Sequence, residues 1–225
     1  MNAVVYYSGT DECKRIATYF AEQLNYEIVD IAHAESEYQH TVLVFPVHCQ
    51  NVPQVVAHFL KRLTVCELTV IAVYGKMCHG NVLYEIQRKY RHNIIAAAYV
   101  PAKHTYLNEP RFCEFDKLRP VVDKPTNHGA VKIPKSYKNP LANAFKGLRS
   151  RIGVKIIKNN ACDNCGKCQN DCPQHAIVNG KRSRKCIRCL RCVASCPKQA
   201  LTFKTTPAMS AYLKKEKQDE LIIYI

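Results

Sequence analysis

Eight of the thirteen cysteines form two copies of one pattern, C-x2-C-x2-C-x3-C-P, that lie 24 residues apart (Cys162 to Cys186). Three thiolates on a short loop can each bind one iron of a cubane cluster, and the fourth iron needs a thiolate from elsewhere. In two-cluster domains with this spacing, the fourth cysteine of each copy ligates the cluster of the other copy. The pattern therefore predicts one [4Fe–4S] cluster on Cys162, Cys165, Cys168 and Cys196, and a second on Cys172, Cys186, Cys189 and Cys192.

Zinc is the alternative metal for these cysteines, because four thiolates also satisfy a structural zinc site. Two complete copies, each followed by proline (Pro173 and Pro197), favour iron–sulfur clusters. Disulfides are not expected, since the cysteine count is odd and nothing directs the chain to an oxidising compartment. The two runs resemble those of bacterial-type ferredoxins with two [4Fe–4S] clusters, over residues 156–203. That resemblance implies a small α+β domain that carries single electrons.

The chain has a net charge of +15, and the excess lies around the cysteine runs. Residues 132–217 contain 20 lysines and arginines against three acidic residues, whereas residues 1–131 are almost balanced. Nucleic-acid binding is not expected, because only Phe203 and Tyr212 could offer base-stacking rings nearby. The charge instead favours an acidic redox partner protein, attracted by a field that weakens as the salt concentration rises.

Buried strands and amphipathic helices alternate along residues 1–100. The predicted strands cover residues 2–7, 26–31, 41–45, 68–74 and 93–100, and the predicted helices cover residues 11–24, 53–63 and 80–90. This alternation predicts an α/β fold, a flavodoxin-like doubly wound parallel sheet of five strands in the order 2-1-3-4-5. Ligands of such sheets bind at the carboxyl ends of the strands.

Four parts follow from this pattern. We expect a flavodoxin-like domain at 1–100, a proline-rich connector at 101–153 that packs on or covers it, the ferredoxin domain at 154–205, and a tail at 206–225. The tail ends in a strand-like segment, residues 221–225, that is compatible with pairing at a sheet edge. Its place in the fold is not predicted.

No targeting or membrane segment is recognisable in the sequence. The first residues lack a basic region followed by a long apolar stretch, and no apolar run approaches the roughly 18 residues of a membrane-spanning helix. We therefore expect a soluble, cytoplasmic protein without a membrane partner.

Three loops of the predicted sheet, together with the cysteine runs, give a resemblance that spans nearly the whole chain. The loops are Tyr6-Tyr7-Ser8-Gly9-Thr10, Phe45-Pro46-Val47 and Ala72-Val73-Tyr74-Gly75. The chain resembles the EFR1 family of flavodoxin/ferredoxin fusion proteins. The resemblance implies that a flavin mononucleotide (FMN) is bound at the strand ends by Ser8, Gly9, Thr10, Cys13, Pro46, Val47, His48, Tyr74, Gly75 and Tyr106.

The phosphate-binding loop departs from the family pattern S-G-T-G-N-[ST]. Asp11 replaces the second glycine, Glu12 the asparagine and Cys13 the hydroxyl residue. Two carboxylates beside a phosphate dianion oppose binding by a few kcal/mol at an effective dielectric constant of about 20. Both residues also suit the first turn of a helix without any ligand. Two alternatives stay open, a retained FMN and a flavin-less docking scaffold.

Three functions are compatible with these features. The first is an electron carrier that relays single electrons through the two clusters, to or from FMN where FMN is bound. The second is a flavin-dependent reductase of a small substrate, which nothing in the sequence specifies. The third is a non-enzymatic scaffold whose clusters are structural or sensory. We favour the electron carrier over a substrate-specific oxidoreductase.

Overall fold

The computed structural model describes residues 1–124, 129–144, 148–178, 180–215 and 218–225. Its central element is a six-stranded sheet in the order β10-β5-β4-β3-β1-β2. The strands are β1 (Asn2–Tyr6), β2 (Glu27–Asp30), β3 (Glu37–Pro46), β4 (Thr64–Tyr74), β5 (Ile94–Pro101) and β10 (Ile222–Tyr224). The first five are parallel and lie in the order 2-1-3-4-5, so the predicted doubly wound flavodoxin-like sheet is confirmed.

Helices cover both faces of the sheet, as the alternation of strands and helices predicts. They are α1 (Glu12–Leu24), α2 (Gln54–Arg62) and α3 (Val82–Tyr90). On one face, Ile16 and Phe20 of α1 are buried against Val42 and Val44 of β3. On the other face, α2 and α3 bury their apolar sides in a second core. The β4 and β5 strands are buried on both faces, which explains their continuous apolar runs.

The sixth strand comes from the C-terminal tail. β10 pairs antiparallel with β5 and places Ile223 opposite Ala98. The Tyr74 hydroxyl donates a hydrogen bond to the Glu220 carbonyl oxygen at 2.7 Å, and so holds the preceding residues over the end of β4. The strand-like segment of the tail therefore closes the edge of the sheet, a placement that the sequence left undetermined.

The cysteine-rich segment forms a small α+β unit. Its elements are β6 (Val154–Lys158), α6 (Lys167–Asn170), β7 (Ile177–Val178), β8 (Lys181–Arg182), α7 (Arg191–Ala194) and β9 (Leu201–Thr205). β6 pairs antiparallel with β9, and β7 with β8. Its buried core contains few residues, chiefly Ile177, Cys192 and Leu201. A domain this small commonly depends on bound metal for its stability.

Three short helices complete the described chain, namely α4 (Arg119–Val122), α5 (Leu148–Gly153) and α8 (Pro207–Leu213). The described residues between α4 and α5 contact β5 and α3. Val131 donates its N–H to the Ile94 carbonyl oxygen at 2.8 Å, and Lys138 pairs with Glu85 at 2.6 Å. Residues 125–128 and 145–147 of the predicted connector lie outside the described residues. Every helix among the described residues is too short or too polar to span a membrane.

Candidate functional site

The two cysteine runs have the same backbone conformation. Positive φ angles recur at positions 24 residues apart, in the pairs Asn164 and Arg188, Gly166 and Leu190, and His175 and Gln199. The Cys172 sulfur accepts a hydrogen bond from the Ala176 N–H at 3.3 Å, and the Cys196 sulfur accepts one from the Ala200 N–H at the same distance. The repeat in sequence is therefore a repeat in structure, down to the backbone donors that face the fourth cysteine of each run.

The thiol of Cys172, from the first run, lies among the thiols of the second run. Burial raises the pKa of Cys192 to about 11, Arg182 opposes this shift, and the nearby thiols of Cys189, Cys186 and Cys172 add to it. The crossed pattern assigns these same four thiols to one cluster. All thirteen cysteines lie in the described residues, and none of them forms a disulfide. Among the described residues, no three His, Cys, Asp or Glu side chains are arranged to hold a metal ion.

The loop of residues 187–191, here called the docking loop, joins the cysteine-rich unit to the carboxyl ends of the parallel strands. His48 Nε2 donates to the Ile187 carbonyl oxygen at 3.1 Å, and the Tyr106 hydroxyl donates to the Arg188 carbonyl oxygen at 2.9 Å. His48 follows β3 and Tyr106 follows β5. The docking loop therefore lies where doubly wound sheets bind their ligands.

Arg191 forms the polar anchor of the docking loop. Its Nε donates to the Ser8 carbonyl oxygen at 2.9 Å, and its guanidinium pairs with the Asp30 carboxylate at 2.7 Å. Both side chains of the ion pair are about four-fifths buried. Ser8 follows β1, and Asp30 ends β2, so Arg191 connects a cluster loop to two strands at once.

Gly9 makes a close backbone approach between the two units. A Cβ atom at this position would lie 2.4 Å from the Cys189 carbonyl oxygen, which is far inside van der Waals contact. Only a residue without a side chain lets the first loop of the sheet touch the backbone of this cysteine. The phosphate-type loop and the cluster loop are therefore in direct contact.

A cavity of about 540 Å³ lies between the strand ends and the docking loop. Ligand pockets typically have volumes of roughly 300–1,000 Å³. All ten residues that the resemblance assigns to FMN line it, namely Ser8, Gly9, Thr10, Cys13, Pro46, Val47, His48, Tyr74, Gly75 and Tyr106. Cys189 of the second cysteine run lines the same cavity.

Two tyrosines and a histidine of this cavity have perturbed pKa values. Burial raises the pKa of Tyr106, and the thiols of Cys49 and Cys189 add to this effect. Burial raises the pKa of Tyr74 to about 12, and lowers that of His48. The hydrogen bond from His48 to Ile187 opposes the shift of the histidine only in part. These two tyrosines and this histidine therefore favour their neutral forms.

The two carboxylates of the phosphate-type loop have different surroundings. Asp11 is exposed and has a φ of 63°, a left-handed conformation that suits the glycine of the family pattern. The Glu12 carboxylate pairs with Arg15 at 2.9 Å and accepts a hydrogen bond from the Phe112 N–H at 3.1 Å. The loop thus keeps the conformation of the glycine pattern, and its buried carboxylate is neutralised by its own partners.

The Ser8 side chain supports a ligand in this loop. Its Oγ is buried and has no hydrogen-bond partner among the described residues. A buried hydroxyl without a partner is costly and uncommon in folded proteins. Lys103, Arg149 and Arg188 also line the cavity and contribute positive charge. The donor set and the charge therefore fit a bound anion such as the phosphate of FMN.

The sequence predicts the ten cavity residues, but it does not predict that His48 and Tyr106 also contact the cysteine-rich unit. The polar atoms of His48 and Tyr106 bind the docking loop. Asp30 and Arg191 were not singled out as an interdomain pair, although an arginine between two ligand cysteines is a visible signal. Tyr212 and Arg149, which also line the cavity, were missed because they come from α8 and α5, far away in sequence.

Residues 154–197 match the family model of the 4Fe-4S dicluster domain. The matched segment contains all eight cysteines of the two runs. The chain is therefore an iron–sulfur protein with an electron-transfer role, built from a flavodoxin-like domain and a 4Fe-4S dicluster domain. No curated protein matches the chain.

Three solved structures align with part of the chain. A putative flavoprotein from Bacteroides uniformis is 15% identical with a TM-score of 0.40, and the alignment covers 46% of this chain and 92% of that protein. Rubredoxin oxygen:oxidoreductase from Desulfovibrio gigas is 14% identical with a TM-score of 0.42, over 55% of this chain and 34% of the other. The Trp repressor binding protein of Bacillus subtilis is 12% identical with a TM-score of 0.35, over 54% and 92%.

Proposed function

We propose that the chain relays single electrons between an FMN bound in the interdomain cavity and two cross-ligated [4Fe–4S] clusters, and exchanges them with a partner protein. One observation carries this proposal. Cys189, a ligand of the second cluster in the crossed assignment, lines the same cavity as all ten residues attributed to FMN. Under this proposal the chain is a member of the EFR1 family that works in the cytoplasm.

The cavity lining supports FMN through the residues that would hold it. The loop from Ser8 to Thr10 would hold the phosphate, and Pro46, Val47 and Gly75 would border the ring. FMN can exchange two electrons and release them singly, whereas each cluster carries one. His48, Tyr106 and the docking loop close the cavity on the side of the cysteine-rich unit. In this arrangement the two cofactor sites would be adjacent.

Anaerobic cofactor analysis tests the proposal. Purified or reconstituted protein should contain about eight iron, about eight sulfide and one FMN per chain. Its visible spectrum should show the broad absorption of cubane clusters. A chain that binds no FMN even after incubation with it would leave electron-carrying clusters on a flavin-less scaffold. Two zinc ions without sulfide would overturn the cluster assignment itself.

The exposed carboxylate of Asp11 gives a graded test of the FMN site. We expect Asp11→Gly to tighten FMN binding by about three- to tenfold, because it removes a charge near the phosphate worth ~1 kcal/mol after screening. Glycine also accepts the left-handed backbone at this position. The measurement is the dissociation constant for FMN by fluorescence titration.

The matched control is Asp11→Asn, which removes the charge but keeps a side chain that tolerates positive φ. An equal gain in both variants attributes the effect to charge, and a gain in the glycine variant alone attributes it to backbone strain. Unchanged affinity in both would place the phosphate elsewhere in the cavity.

A further inference from the structure

We propose that electrons enter or leave the protein at the face around Cys165, and that two lysines on this face dock an acidic one-electron carrier protein. The two are Lys158 and Lys198, and the surface that they form around Cys165 is here called the lysine face. This inference rests on the proposed relay, because it names the route between the clusters and the partner.

The two sets of ligand cysteines differ in exposure. Cys165 is exposed, and Cys162, Cys168 and Cys196 are half-buried. In the other set, Cys186 and Cys192 are buried, and the backbone of Cys189 is covered by Gly9. A partner can therefore approach the cluster site of the first set, whereas the flavodoxin-like domain already occupies the approach to the second.

Two lysines flank the exposed loop between Cys162 and Cys165. Lys158, the last residue of β6, donates from Nζ to Asn164 Oδ1 at 3.5 Å. Lys198 is exposed and lies two residues after Cys196, which belongs to the same ligand set as Cys162 and Cys165. Positive charge therefore surrounds the most exposed cysteine of the unit.

The nearby acids leave an excess of positive charge on the lysine face. Asp171 pairs with Lys167 at 3.1 Å, and the Asp163 carboxylate accepts the Cys165 N–H at 3.1 Å. Neither Lys158 nor Lys198 forms an ion pair with a described residue. Two lysines therefore stand against the one carboxylate of Asp163 beside an exposed cluster site.

The partner that fits is a protein whose redox centre is surrounded by carboxylates. Opposite charges would raise the rate of encounter and orient the partner towards Cys165. Each encounter transfers one electron, so the cluster and the partner's centre change by one electron in opposite senses. No bond is made or broken, and no proton is needed for balance.

Oxidation of the reduced holoprotein by two small complexes of opposite charge tests this route. We expect the rate with the anion Co(III)-EDTA to fall as salt is added, and the rate with the cation hexaamminecobalt(III) to rise. At low salt, Lys158→Glu combined with Lys198→Glu should lower the Co(III)-EDTA rate constant by about fivefold or more and raise that of the cation.

A matched control carries the same change in net charge at the far end of the molecule. Lys61 and Lys89 are exposed and lie in the last turns of α2 and α3, at the amino ends of the strands. Lys61→Glu combined with Lys89→Glu should alter both rate constants by less than about twofold. Equal effects of the two double variants would overturn the proposal, because net charge alone would then explain them.

A second readout does not depend on electron transfer. Hexacyanochromate(III), a redox-inert paramagnetic anion, should broaden the amide resonances at positions 158 and 198 in the holoprotein, and the Lys158/Lys198 variant should lose this effect. Broadening elsewhere would also overturn the proposal. Duplex DNA that binds at physiological salt and competes with the anion would assign the face to nucleic acid instead. Iron, sulfide and FMN contents are measured on the same samples, so a failed relay is distinguished from a failed docking face.

Discussion

Cys172→Ala is expected to destroy the cluster of the other cysteine run and to leave the cluster of its own run intact. Iron should fall from about eight to about four per chain, because a [4Fe–4S] cube needs four thiolates. The reason is the crossed ligation, in which Cys172 joins Cys186, Cys189 and Cys192. The structure places its thiol beside that group, where it contributes to the raised pKa of Cys192.

Alkylation of the holoprotein identifies which cluster is lost. Thiolates bound to iron are protected, and released thiols react with iodoacetamide through their thiolate form, so alkylation is carried out at alkaline pH and in mild denaturant that exposes the buried thiols. In Cys172→Ala, mass spectrometry should find label on Cys186, Cys189 and Cys192, with Cys162, Cys165, Cys168 and Cys196 protected.

The control is the symmetry-related variant Cys196→Ala. It should expose the complementary set, Cys162, Cys165 and Cys168, and protect the second-run cysteines together with Cys172. Label on Cys162, Cys165 and Cys168 in the Cys172 variant would show that each run ligates its own cluster. That result would refute the crossed assignment while keeping two clusters per chain.

The fold could be predicted from local pattern because its parallel strands are buried on both faces. Continuous apolar runs such as those of β4 and β5 identify central strands, and the helices between them fix a doubly wound order. The tail strand could not be placed, since a short antiparallel edge strand depends on the sheet edge that it meets. Its partner, β5, lies more than a hundred residues away in sequence.

The cluster cysteines could be predicted because their spacing is specific to the ligands of [4Fe–4S] clusters. The arrangement of the two domains could not, because it depends on contacts between residues with no local pattern. Arg191 pairs with Asp30 across the interface, and no sequence pattern around Asp30 indicates that contact. The same holds for Gly9, which the family pattern explains by phosphate binding alone, whereas here it also meets the backbone of Cys189.

The charge of the phosphate-type loop shows how structure changes a conclusion from sequence. Two carboxylates in place of glycine and asparagine predict repulsion of a phosphate. In the fold, Glu12 is satisfied by Arg15 and the Phe112 N–H, and Asp11 faces solvent in a glycine-like conformation. The sequence shows that two carboxylates are present but not where their side chains point. The surroundings of each side chain decide whether it repels a phosphate bound in the loop.

Gly9→Ala is expected to loosen the contact between the two domains without removing either cofactor site. The added methyl would lie 2.4 Å from the Cys189 carbonyl oxygen, a backbone atom that cannot rotate away. Overpacking of this kind costs about 1–3 kcal/mol in the free energy of unfolding. The control is Gly129→Ala, because a methyl there meets no atom within 4 Å. Its free energy of unfolding should change by less than ~0.5 kcal/mol.

The change at Gly9 should also slow electron exchange between the flavin and the cluster next to it, since Cys189 is the cysteine that moves. Flash reduction of the FMN, followed at the cluster absorption band, measures that rate in the variant and the control. Iron and sulfide contents should stay at their wild-type values, and each sample is saturated with FMN and its FMN content measured, because Gly9 belongs to the proposed phosphate-binding loop. These contents separate a displaced loop from a lost cofactor. Should Gly9→Ala match the wild-type chain in both stability and rate, the first loop and the docking loop would not be in contact in solution. Slower exchange with full cofactor content would instead establish that this single glycine holds the two redox sites together.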